Sequence, residues 1–341
     1  MGGTESRFAR LVAWRMMGMM GAPAGSKPIP PVSRLSHNVI RVLGCNPGPM
    51  TLQGTNTYVL GTGVERLLVD AGEKGNSSYI KSLKDVLAEE KAKISKIILT
   101  HWHADHTGGL DGVLASGCTT DRPQLLKYKL AEEERYEHFG NDSKVAVEGA
   151  TVRALHTPGH TTDHLSLLLE ENNAVFSGDC ILGEGSSVFE HYANYLKSLK
   201  LLAEMDPAVM YPAHGSVIEN PVPVIQQYIA HREQREKEII AELQRQFPGE
   251  STADKLVSAI YPTLNFILRK GALNNVVHHL NKLIEEGKVG MYFPVFVQLE
   301  YYCSAFCGSL KHHITQPVAC LFFAEMLHGD RFRLIHSNST V

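Results

Sequence analysis

Three histidines and an aspartate stand within six residues in the stretch KIILTHWHADHTGGL, Lys96 to Leu110, directly after an apolar run that stops at Thr100. Neutral imidazole and carboxylate are the ligand types that suit zinc. His101 and His103, two residues apart, can reach one ion, while Asp105 and His106 reach another. A strand end followed by a tight loop projects several side chains from one point, which metal coordination needs and a satisfied core does not. Further ligand types close other apolar runs: HTPGH supplies His160, FSGD supplies Asp179 and YPAHG supplies His214. Seven groups from four strand ends are what a two-metal site requires.

The elements that would position these groups are short apolar runs ended by turn residues: VIRVLG, TYVLGTG, RLLVDAG, KIILTH, TVRALH, LSLLLE, AVFSGD and AVMYPAHG. Their length and Val/Ile/Leu content predict strands. Helical patterns stand between some of them, at residues 77–90 and 192–205, so two sheets with helices packed outside are expected. After Pro223 the strand patterns stop. Residues 225–246 read as one long charged helix, STADKLVSAIY opens another with Ser251 and Asp254 in capping-box spacing, and LNNVVHHLNKLIEEGKV closes a third at Gly287.

On the H-x-H-x-D-H motif and the later His160, Asp179 and His214, in that order, the chain resembles the metallo-β-lactamase-fold hydrolases. The resemblance implies an α+β fold: an αββα sandwich with a small C-terminal winged-helix-like helical domain. The stretches RVLGCNPGPMTLQGTNTYVLGTG, TPGHTTDH and FSGDCILGEGSSVFE are similar to mitochondrial endoribonucleases of this family that act on single-stranded RNA. The similarity covers roughly residues 36–288. The expected organisation is an extension over 1–36, a catalytic domain over 37–222, a helical domain over 223–288 and an atypical, poorly ordered tail over 289–341. Residues 110–148 lack the family's Asp-Gly-Asp turn before an edge strand, so the sheet is expected to be irregular there.

The resemblance implies two Zn²⁺ ions: one held by His101, His103 and His160, the other by Asp105, His106 and His214, with Asp179 bridging both. A water acidified between two such cations would attack a phosphodiester, and Asp105 and His164 are the candidate catalytic residues, His164 as donor of a proton to the leaving oxygen. A packed role for His164 behind the ligands is the alternative. Asp70, ending a strand, is expected to accept a hydrogen bond from the far nitrogen of a ligand histidine, a plain turn or cap role being the alternative. Asn56 either lines the mouth or serves a turn, and Cys180, pointing away from Asp179 in strand geometry, belongs to the core.

The runner-up activity is glyoxalase-II-type thioester hydrolysis, which shares all seven ligands; a thiolate leaves without a proton, whereas a sugar alkoxide needs one. β-Lactam hydrolysis fits less well, because enzymes of this fold with that task often carry Cys in place of Asp179. A scaffold with a degenerate site is disfavoured because no ligand is missing.

A net charge of −3 argues against a surface that traps nucleic acid everywhere, although a local basic channel is compatible with it. Three cysteines scattered through the main body, Cys45, Cys118 and Cys180, and three close together near the C-terminus, Cys303, Cys307 and Cys320, do not form a disulfide framework, and the Cys303-x-x-x-Cys307 pair is poor support for a metal. With no run of 18 apolar residues, no membrane association is expected. The N-terminal extension carries Arg7, Arg10, Arg15, Lys27 and Arg34 against Glu5 alone, which reads as a transit peptide to the mitochondrial matrix; with Ser sparse and the amphipathic pattern weak, a disordered extension carrying no address is the equal alternative. Single-stranded RNA is the expected partner. Residues 225–288 hold 9 Lys and Arg against 8 Asp and Glu, so this region suits packing or a homodimer as well as nucleic acid.

Overall fold

Strands form where the apolar runs stand, and alternate side chains leave them toward different layers. The structure, a computed structural model, describes residues 27–246, 250–264, 266–292 and 331–334. Most of the N-terminal extension and of the tail, including Cys303 and Cys307, lies outside the described residues. The chain divides into two compact units, residues 1–230 and 231–341. The expected boundary at 222/223 and this division both fall within the helix Pro221–Gln246.

In the first unit, seven strands form one sheet in chain order: β1 (Val32–Ser36), β2 (Val39–Leu43), β3 (Asn56–Leu60), β4 (Glu65–Val69), β5 (Lys93–Leu99), β6 (Thr119–Lys127) and β7 (Glu137–His138). β1 to β4 pair antiparallel, and β4 to β7 pair parallel. The second sheet has β8 (Lys144–Val147), β9 (Ala150–His156), β10 (Leu165–Leu169), β11 (Ala174–Gly178) and β12 (Val209–Pro212) side by side in that order. Only its β11–β12 pair is parallel.

The period-two alternation of strands explains the layers. Tyr58, Leu60, Leu67, Val69 and Ile98 of the first sheet meet Val152, Ala154, Leu165, Leu167 and Phe176 of the second in one buried cluster. The intervening Val59, Leu68, Ile97 and Leu99 face outward onto α1 (Ser77–Glu89) and onto α3 (Leu110–Ala115), which follows the single-turn helix α2 (Ala104–Thr107). Helix α1 starts where the Asn76 side chain accepts from the Tyr79 N–H, and it buries Tyr79, Leu83, Val86 and Leu87, one stripe at helical spacing. On the far side, Leu155, Leu168, Val175 and Met210 pack against Tyr192, Tyr195, Leu199 and Leu202 of α4 (Tyr192–Glu204) and the first turns of α5 (Pro221–Gln246). Strands buried on both faces read as unbroken apolar runs, which is why the sequence showed runs and little alternation.

In the second unit, Ile239 and Leu243 of α5, Leu256 and Val257 of α6 (Ala253–Ile260), and Val276, Leu280 and Leu283 of α7 (Phe266–Glu285) make a separate core. Helix α7 ends at Gly287, whose φ of 69° allows Lys288 N–H to return to Leu283 C=O.

Several expectations are corrected. The extension does not stop at 36 as a segment outside the fold: Val32–Ser36 is an edge strand paired with β2. The cap of α6 is Thr252, whose side chain accepts from Lys255 N–H, not Ser251. Strands do not end at Pro223, nor is the region from 289 only a tail, since β13 (Ser251–Thr252), β14 (Val289–Tyr292) and β15 (Arg331–Leu334) form a three-stranded sheet with β15 in the middle. Pieces of two to four residues are too short to show a period, and their pairing joins residues far apart in sequence. Between residues 110 and 148 the sheet is irregular: Ile94 pairs with Thr119, yet Lys96 pairs with Gln124, a jump that spans Pro123, which has no N–H to give the ladder.

Candidate metal centre

Parallel strands send their C-terminal ends to one side, and the chemistry collects there. Asp70 follows β4, His101 and His103 follow β5, and Asp105 and His106 sit on α2. From the other sheet come His160 after β9, Asp179 after β11 and His214 after β12. The structure brings all seven expected ligands together in two groups. His101, His103, His160 and Asp179 offer ligand atoms within 4.8 Å of one another, and so do Asp105, His106 and His214.

Asp179 joins the groups through its two oxygens. Its Oδ2 lies 3.4 Å from His160 Nε2 and 3.9 Å from His101 Nε2, whereas its Oδ1 lies 3.2 Å from His214 Nε2 and 3.5 Å from His106 Nε2. Asp105 Oδ2 completes the second group at 3.2 Å from His106 Nε2 and 3.3 Å from His214 Nε2.

Several of these residues are aimed by neighbours outside the cluster. His106 Nδ1 donates to Asp70 Oδ2 at 2.7 Å, and Asp70 also accepts from the Thr100 N–H and hydroxyl. His160 Nδ1 donates to Val188 C=O at 2.8 Å. The Thr55 hydroxyl donates to Asp105 Oδ2 at 3.0 Å. Asn56 is buried and does not line the mouth: its amide donates to Pro212 C=O and Gly215 C=O, both at 2.9 Å, and so ties β3 to the loop that presents His214.

The electrostatics fit a cation. Burial lowers His101 and His160 and brings His103 down to about 4, leaving neutral rings ready to ligate. Burial would also lower His106 and His214, but the carboxylates of Asp105, Asp179 and, for His106, Asp70 outweigh it and raise both, His214 to about 10. The carboxyls of Asp105 and Asp179, which burial alone would raise, are held well below the usual range by those histidines. Buried carboxylates thus demand positive charge, from protons on His106 and His214 or from metal in their place. His106 Nε2 and Asp179 Oδ1 are buried without a hydrogen-bond partner, the condition a bound ion would relieve. The donor set fits metal ions.

His164 is not placed as a proton donor. Its ring is fully buried; Nε2 accepts from the Asp179 N–H at 3.0 Å and Nδ1 meets the Thr157 hydroxyl at 2.9 Å. Burial holds the imidazole well below its ordinary pKa, so it stays neutral and supports the bridging aspartate from behind. Gly178 makes this possible: with φ of 51°, any Cβ there would lie 2.5 Å from His164 Nε2. Gly159, in the HTPGH stretch, is similarly required, because its Cβ would meet the Tyr195 backbone at 2.3 Å. Cys180 is in the core as expected, although it lies in the turn after β11 and not in a strand. Thr55, Thr100 and the Val188 carbonyl were not singled out from sequence; only the position of Thr100 between an apolar run and His101 hinted at a role.

Residues 50–214 match the model of the metallo-beta-lactamase superfamily, and residues 252–291 match the beta-lactamase associated winged helix domain. A beta-lactamase-like protein 2 homolog of Caenorhabditis elegans is 44% identical over 76% of this chain and 89% of its own length. An atrochrysone carboxyl ACP thioesterase of Aspergillus fumigatus is 40% identical over 72% of this chain and 80% of its own. Among solved structures, a beta-lactamase domain protein from Burkholderia ambifaria superposes with a TM-score of 0.66 at 19% identity, over 81% of this chain and 95% of the other, a likeness of fold alone. With its paired sheets, its bridged His/Asp cluster and these relatives, the chain belongs to the metallo-β-lactamase superfamily and is a hydrolase of that fold followed by a winged-helix domain.

Proposed function

We propose that this hydrolase holds two zinc ions and cuts single-stranded RNA endonucleolytically. The observation that carries the reading is the bridging disposition of Asp179, one oxygen toward each histidine group. Two zinc ions, when bound, acidify water and stabilise negative charge on the attacked group. His101, His103 and His160 as neutral donors, with only Asp105 and Asp179 as anions among the seven, would leave such a centre positive and suited to a phosphodiester. Thr55 and Asp70 keep Asp105 and His106 aimed during turnover, and His164 holds the backbone from which the Asp179 carboxylate projects. The similarity of residues 36–288 to endoribonucleases of this family supports the same choice. The Arg-bearing, acid-poor N-terminal segment supports the mitochondrial matrix as its location.

Thioester hydrolysis is the second reading. It is favoured by the enclosure of His164, which leaves that ring unavailable to protonate an alkoxide, and by the similarity to a fungal ACP thioesterase.

The zinc-loaded full chain incubated with single-stranded RNA, the matching duplex and a pantetheine thioester separates the two. Unpaired RNA cut faster than duplex, with 5′-phosphate and 3′-hydroxyl ends, is the expected result. Rapid thioester hydrolysis with intact RNA replaces the first reading by the second, and a 2′,3′-cyclic phosphate product excludes water as the attacking group.

A further inference from the structure

Trp102 stands between His101 and His103, yet 49% of its surface is exposed and it belongs to none of the buried clusters. Its indole meets the His103 ring edge-on, with centroids 4.4 Å apart, so the ring is held beside the metal centre. Against it lies a cleft of about 270 Å³ lined by Trp102, Lys127, Tyr128, Leu130, Glu133 and Asp163. The walls are of two kinds. Leu130 and the indole present apolar surface, Leu130 being largely exposed. The polar groups already have partners: Lys127 Nζ contacts both Glu133 oxygens, at 3.0 and 3.1 Å, and Asp163 accepts from the Thr161 hydroxyl at 2.7 Å. A phosphate would find no unpaired cation among these residues. A flat, uncharged group with polar edges would find an aromatic face and an ion pair whose carboxylate lone pairs accept, and whose ammonium protons donate, further hydrogen bonds.

We propose that this cleft seats one nucleobase of a single-stranded nucleic acid, stacked on Trp102 with its edge toward the Lys127–Glu133 pair, beside the bond cleaved at the metal centre. The inference rests on the endoribonuclease reading and deepens it. Stacking on an indole tolerates any base, because every base has a π-face. It also supplies a reason for single-strand preference that does not depend on cleft width: a base paired and stacked within a duplex cannot turn onto Trp102.

The test uses the full-length zinc-loaded chain with Trp14→Phe, which leaves Trp102 as the sole tryptophan of the two. A hydrolysis-resistant phosphorothioate RNA should quench its fluorescence, and the same oligonucleotide made abasic at one position should quench far less. In cleavage assays Trp102→Ala should raise KM by roughly five- to 150-fold, with a smaller change in kcat, and Trp102→Phe should recover most of the loss. That penalty should nearly vanish on RNA abasic at the sensitive position, an outcome a merely structural role would not produce.

RNA cleavage with unchanged KM in Trp102→Ala overturns the subsite and leaves the endoribonuclease reading standing. A raised KM accompanied by lost zinc, and undiminished on abasic RNA, also overturns it by assigning Trp102 to support of His103. Base-dependent quenching without cleavage upholds the subsite and removes the reading. Quenching by an acyl-pantetheine thioester and not by RNA overturns both.

Discussion

Asp70 Oδ2 and His106 Nδ1 lie 2.7 Å apart with both side chains buried, a contact that fixes which nitrogen of the ligand carries the proton. With Nδ1–H committed to Asp70, Nε2 is left facing Asp105, Asp179 and His214, where a proton or a metal ion in its place balances the carboxylates. The same carboxylate accepts from the Thr100 N–H, so the end of β5 and the aim of His106 are set by one group. Asp70 has φ of 60°, a conformation that Asp and Asn tolerate better than most residues.

Asp70→Asn keeps that backbone preference but exchanges a full negative charge for an amide. Metal affinity of the group Asp105, His106 and His214 should fall about 10- to 100-fold. Chelator-competition titration measures it. Affinity equal to wild type would mean that the Thr100 hydroxyl, 3.5 Å from His106 Nδ1, is enough to aim His106.

Elemental analysis of folded, unchelated protein should find two metal ions per chain, one for each side-chain group. Removing them with a chelator should lower the melting temperature, since ligand present at a thousand times Kd adds about 4 kcal/mol to stability. A single ion per chain, with no change in the melt on chelation, would count against the bridged arrangement.

His164→Gln should lower kcat by disturbing Asp179, while the basic limb of the pH–rate profile, where a proton donor would lose its proton, stays where it is. A buried ring that already accepts from the Asp179 N–H does not titrate as the leaving group's acid. Loss of a pH limb in this variant would restore His164 as a proton donor.

Ending the chain after Gly290 should destabilise the second unit, because it removes β15, the middle strand that both β13 and β14 pair with. A fall of about 4 to 8 °C in its melting transition corresponds to each ~1 kcal/mol lost in a domain of this size. The alternative, an unchanged or higher melting temperature, is the behaviour expected of a dispensable tail.

The His/Asp cluster that could hold metal is legible in the amino-acid sequence, because metal coordination restricts residue types and because its members stand at or just after the ends of apolar runs: Thr100 precedes His101, and Gly178 precedes Asp179. The runs themselves, read by length and composition, place most strands and the helices over residues 77–89 and 192–204. Short-range order is enough for these, since each run carries its own boundary residues. What lies behind the ligands is not legible. His164 has the same letters around it whether its ring faces water or the Asp179 N–H, and only the packing of β10 against β11 decides that it is enclosed. Thr55 reaches Asp105 across 50 positions, and Asn56 reaches Gly215 across 159, contacts no local pattern encodes. β13, β14 and β15 escape the sequence for a related reason: strands of two to four residues are stabilised by partners distant in the chain, so their existence is a property of the paired sheet and not of any one segment.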